Sequence, residues 1–89
     1  MKEAAYRVRG KVQGVGFRWW TRSRARGLGL AGTVRNSPDG SVEVRVRGRE
    51  EVVDAFREQL AHGPPGSRVE EVEEIPTGAV EGDTFEIVR

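Results

Sequence analysis

Apolar and polar residues alternate strictly over residues 5–13, AYRVRGKVQ: Tyr6, Val8, Gly10 and Val12 fall on one face, and Arg7, Arg9, Lys11 and Gln13 on the other. A period of two is the mark of a half-buried strand. From Phe17 the spacing lengthens. Residues 17–29 read as a helix: Phe17, Trp20, Thr21, Ala25 and Leu28 share one stripe, Arg22, Arg24 and Arg26 take the solvated face, and GLGL at 27–30 ends it. LAGTVRN (30–36) and SVEVRVR (41–47) alternate again on either side of SPDG. There Pro38 presets φ, Asp39 tolerates the bend and Gly40 can take a positive φ, so the pair reads as a β-hairpin. Residues 50–61, EEVVDAFREQLA, form the cleanest helix, with Val53, Phe56 and Leu60 inward and acidic residues at the start, where the helix dipole favours them. HGPPG (62–66) stops it. Residues 67–75, SRVEEVEEI, carry two signals. Val69, Val72 and Ile75 recur every three residues, and Ser67 with Glu70 resembles a helix capping box. Yet the segment is short and β-branched at each of these positions, so we read it as a strand. PTGAVEGD (76–83) is a loop, and TFEIV (84–88) a short final strand.

Strand, helix, strand, strand, helix, strand and a terminal strand is the split βαβ order of an α+β, ferredoxin-like sandwich. It predicts one domain over residues 1–89, an antiparallel sheet with two helices packed on one face. That architecture serves many functions and decides little alone.

Composition narrows the choices. The chain has no cysteine, which excludes disulfides, thiolate metal sites and thiol nucleophiles and fits a reducing cytoplasm. No apolar run is long enough for a membrane span or a signal-peptide core. One Asn, two Gln and one Met among 89 residues, a third of them charged, lean towards a thermophilic source. The net charge is only +1, but residues 1–49 hold 12 basic and 3 acidic side chains, and residues 50–89 hold 3 and 11. The basic residues are scattered over several elements, which favours pairing between the halves over a nucleic-acid partner.

Against this background the loop QGVGFR, between the first strand and the first helix, is where chemistry concentrates. Gly14 and Gly16 can take backbone angles other residues resist and allow close approach of a ligand. Successive N–H groups can form an anion-binding nest, the helix adds its positive end, and Arg18 adds a fork that matches phosphate or carboxylate oxygens. A small tetrahedral anion fits, phosphate first. Neither nucleotide motif is present: no Lys-Ser/Thr follows for a P-loop, and Trp19 stands where a dinucleotide fingerprint needs its third glycine.

Two stretches make the reading specific. VRGKVQGVGFR (8–18) resembles the first signature of the acylphosphatase family, and GTVRNSPDGSVEVRVRG (32–48) the second, with Asn36, Gly40, Val42 and Gly48 in register. Thr33 replaces an aromatic common in the family. The resemblance extends to the closing FEI and implies hydrolysis of acyl phosphates, mixed anhydrides of a carboxylic and phosphoric acid, without cofactor or metal. It implies that Arg18 binds phosphate oxygens, that the loop of Gln13, Gly14, Val15, Gly16, Phe17 and Arg18 cradles them with its amides, and that Asn36 holds the attacking water. It also implies a monomer acting on a small-molecule substrate.

The chemistry is consistent with so few groups. The departing carboxylate belongs to an acid of pKa about 4 and leaves without a general acid. Phosphoryl transfer demands mostly positioning and electrostatic stabilisation. His62, at the end of the second helix, suits the helix dipole better than catalysis. Asp39 suits the turn, and Glu70, Glu71, Glu73 and Glu74 suit a solvated face rather than a metal. Trp19 or Trp20 can wall a substrate pocket, with at least one in the core. Two rivals stand beside the enzyme. An RNA-binding module wants exposed aromatics on its central strands, and the outward residues Arg7, Arg9, Lys11, Arg35, Glu43, Arg45 and Arg47 include none. A non-catalytic anion-binding domain is the other.

Overall fold

The computed structural model describes residues 1–89. The elements are β1 (Lys2–Lys11), α1 (Phe17–Gly27), β2 (Ala31–Asn36), β3 (Val42–Gly48), α2 (Glu50–His62), β4 (Arg68–Ile75) and β5 (Phe85–Ile87). They follow the expected order, and the sheet runs β4-β1-β3-β2-β5. The expectation of an antiparallel sheet holds for four strands. β5 departs from it by pairing parallel to β2, Gly32 with Phe85 and Val34 with Ile87. The physical reason is the route of residues 76–84. They cross the outer face of the sheet instead of turning back at one edge. Val80 is buried there, its carbonyl and that of Gly82 accept from the Arg47 guanidinium at 2.6 Å each, and its N–H donates to Glu3.

Both helices cover the other face, α1 over β2 and β5, α2 over β4, β1 and β3. The core lies between, built from the alternating positions: Tyr6 and Val8, Val42, Val44 and Val46, and Val34 from the sheet, met by Phe17 and Ala25 of α1 and Val53, Phe56 and Leu60 of α2. Helix α1 ends at Gly27, two residues earlier than the sequence pattern suggests. Arg26 is exposed, as expected of the solvated face, and it also donates to the Phe85 carbonyl and to Glu86, both at 3.0 Å, and so pins β5.

The three-residue repeat at 67–75 has a structural cause. Arg9 pairs with Glu71 but Gly10 pairs with Val69, so Glu70 is an extra residue in β4. This bulge restores Val69 to the face of Val72 and makes a strand look helical in sequence. Ser67 donates to the Pro64 carbonyl rather than capping a helix. The bulge also dictates Gly10, whose φ is 129° and where a Cβ would lie 2.1 Å from the Arg68 carbonyl oxygen. Gly10→Ala is therefore expected to cost about 3 kcal/mol of stability. Urea unfolding measures this, and an unchanged midpoint would show that the β1–β4 edge yields freely.

The two differently charged halves pair across the domain: Arg9 with Glu71 at 3.5 Å on the outer face, and Lys2 with Asp54 of α2 at 2.9 Å and Arg26 of α1 with Glu86 at 3.0 Å on the helix side. Glu43, expected outward, is only 6% exposed and lies under Arg35, Arg45 and Arg7 at 3.1, 3.2 and 3.6 Å. Burial alone would raise its pKa, but the hydrogen bonds and charges of Arg35 and Arg45 outweigh that and hold it below the ordinary glutamate value.

Candidate active site

The loop after β1 is anchored by its apolar side chains and leaves its backbone free. Val12 and Phe17 are buried and Val15 packs against the core, while Gly14 and Gly16 are exposed. Gly14 has φ 74° and Gly16 φ 79°, while Val15 between them keeps a negative φ. Residues of alternating hand are the backbone pattern of a nest. The N–H groups of Gln13, Gly14, Val15 and Gly16 find no acceptor within the chain, and the first helical bond is Trp20 N–H to the Gly16 carbonyl, 3.0 Å. No side chain caps α1 and no acidic residue stands in its first turn. A row of free donors thus runs into the positive end of a helix, an arrangement that takes an anion.

Arg18 stands in that first turn, partly buried, and makes no ion pair or side-chain hydrogen bond within the protein, unlike the arginines of the outer face. With Trp19, Arg22, Glu86 and Ile87 it lines a surface cleft of about 390 Å³. Ile87 pairs with Val34, two residues before Asn36, so β5 carries the wall of the Arg18 cleft to the strand that ends in Asn36.

Asn36 closes β2 on the helix-covered face, in register with Val42 and through it with Val8. Its Oδ1 is buried and accepts no hydrogen bond from the protein. Such an acceptor costs roughly 1–3 kcal/mol when left unpaired.

Gln13 connects the two parts. Its Nε2 donates to the carbonyls of Ser37 and Ser41, 2.9 Å each, at the base of the β2–β3 turn. The turn is stiffened by Asp39, whose Oδ1 accepts from the Ser41 hydroxyl at 2.6 Å and the Ser41 N–H at 3.0 Å. These bonds, with Arg9 beside it at 3.2 Å, lower the Asp39 pKa to about 2. Asp39 is a turn residue, ionised at neutral pH and occupied. The sequence identified Gln13 by its place in the loop. That its side chain braces the hairpin of Asn36 was not visible, because the contact spans 24 and 28 residues.

Residues 4–87 match the sequence model of the acylphosphatase family. An acylphosphatase of Mesorhizobium japonicum is 55% identical over 84 residues, 92% of this chain and 88% of the relative. One of Rhodospirillum rubrum is 45% identical over 96% of this chain and 93% of the relative. The crystal structure of acylphosphatase from Bacillus subtilis superposes over the whole of both chains with a TM-score of 0.92 at 37% identity. The chain belongs to the acylphosphatase family. It is a hydrolase acting on acid anhydrides.

Within the acylphosphatase fold the other candidates fall away from the cradle. On α1, Arg18 and Arg22 lie on one flank of the buried stripe Phe17, Thr21, Ala25, and Trp20 and Arg24 on the other. His62 lines a groove on that second flank, with Trp20, Arg24 and Gln59. Trp20 packs against Phe17, ring centres 5.5 Å apart, and lies partly buried against the core rather than within it, so neither tryptophan is a core residue. Trp19 is 64% exposed. No three His, Cys, Asp or Glu side chains gather as a metal site, the four glutamates of β4 included. No helix is long and apolar enough to cross a membrane.

Proposed function

We propose that the chain hydrolyses small acyl phosphates with the phosphate held by the amides of residues 13–18 and the Arg18 guanidinium, and with the attacking water held by Asn36. The observation that carries this reading is the pairing of unspent groups: N–H donors without acceptors on the loop, and a buried acceptor without a donor on Asn36. The donors suit the equatorial oxygens of a phosphoryl group, and the acceptor suits a hydrogen of water. Water adds to phosphorus, the bond from phosphorus to the acyl oxygen breaks, and the carboxylate departs with the bonding electrons. The water's proton passes to a phosphate oxygen. The products are carboxylate and inorganic phosphate, and no side-chain base is required.

The same reading makes the active unit a monomer, supported by the scarcity of exposed large apolar side chains, which are Met1, Trp19 and Val88. The test is release of phosphate from benzoyl and acetyl phosphate with EDTA present. Turnover in EDTA, inhibited competitively by inorganic phosphate, is the expected result. A strict requirement for added metal would overturn the mechanism. Phosphate binding by a folded protein without turnover would make it an anion-binding domain instead.

A further inference from the structure

Resting on the proposed placement of phosphate at Arg18, we infer that the cleft of Trp19, Arg22, Glu86 and Ile87 is the seat of the acyl group, with Trp19 as its specificity-determining wall for flat, apolar acyl groups. Arg18 lines this cleft and also stands at the head of the phosphate loop, so a substrate whose phosphate lies in the cradle has the cleft as its neighbouring volume.

Trp19 is the one large aromatic exposed, at 64%, in a chain whose other aromatics are buried or packed on the core. A tryptophan left in water forgoes a large burial energy that the fold does not recover elsewhere. Its ring is nonetheless held: the Arg22 guanidinium sits 5.2 Å from its centroid. An indole lining a cleft offers a face for stacking, and Ile87, half-buried against the core, supplies an apolar surface in the same cleft.

The lining decides what kind of acyl group fits. Arg18 is committed to the phosphate. Glu86 is paired with Arg26 at 3.0 Å, so its charge is spent within the fold, and Arg22 lies over the Trp19 ring. What the cleft offers the acyl group is the indole face and Ile87, from which a planar apolar group gains. Trp19→Ala removes the platform with little risk to folding, since the side chain is mostly exposed.

The experiment compares benzoyl and acetyl phosphate as substrates of wild type, Trp19→Ala and Trp19→Phe, with inhibition by inorganic phosphate measured alongside. The expected result for Trp19→Ala is a fall of about tenfold in kcat/KM for benzoyl phosphate, borne by KM, against less than about twofold for acetyl phosphate. Inhibition by phosphate keeps its constant, and Trp19→Phe restores most of the benzoyl preference. Equal losses on both substrates, or an undiminished benzoyl preference in Trp19→Ala, would overturn the assignment. Absence of turnover by the wild type on either substrate would overturn the parent reading instead, so the two failures are distinct.

Discussion

Arg18→Ala is expected to leave a folded protein that neither holds inorganic phosphate nor turns over acyl phosphate, with kcat/KM lowered by about a thousandfold or more. The guanidinium makes no bond to the rest of the chain and is partly exposed, so its removal should move the unfolding midpoint little. That separation matters, because it distinguishes this arginine from Arg26, Arg35 or Arg47, each bonded to a carbonyl or carboxylate of the fold. Arg18→Lys should recover little. An ammonium returns the charge but not two parallel donors in a plane, and the phosphoryl group in the transition state presents oxygens that a fork can meet together. Steady-state kinetics with phosphate inhibition read both effects. Full activity in Arg18→Ala would remove the guanidinium from the site.

The second large effect is expected at Asn36. Asn36→Ala should keep the inhibition constant for phosphate and lose about a hundredfold in kcat, because a residue that only places the nucleophile acts after the substrate is bound. The structure adds a sign for stability. The Asn36 Oδ1 is a buried acceptor with no protein donor, so its deletion should leave the protein as stable as the wild type or slightly more so. A variant that is stable, binds phosphate and does not turn over would place Asn36 with the water. Parallel losses of phosphate affinity, stability and turnover would instead make it a structural member of the hairpin.

The fold was legible where one face of an element is buried and the other is wet. The alternation in β1 and β3 and the stripe of Val53, Phe56 and Leu60 in α2 determine their elements directly, because the positions that face the core are apolar. The direction of β5 was not legible. A three-residue strand has the same side-chain pattern whichever way it runs, and its orientation comes from a crossing loop held by Arg47 and Glu3, far away in sequence. The period-three signal of β4 misleads for a local reason, a bulged residue whose evidence is Gly10 on the neighbouring strand.

The site divides in the same way. Gly14, Gly16 and Arg18 announce an anion loop because their chemistry is local. The cleft between Trp19 and Ile87 joins a helix to a strand nearly seventy residues on, and no spacing rule connects them. Trp19 and Trp20 are adjacent and identical in type. Only the rotation of the helix sets one against the core and the other in solvent.

The bulged strand β4 has a consequence beyond its register. It forms one rim of the sheet, and a rim with unpaired backbone groups is a template on which another chain can add a strand. Here the rim is kinked at Glu70 and carries four glutamates within eight residues. A second copy offering the same rim would set carboxylates against carboxylates and find the hydrogen-bonding line broken part-way. The acidic run that looked like an idle solvated face thus opposes the addition of a strand at this rim, and the irregularity that disguised the strand in the sequence breaks the line along which one would add.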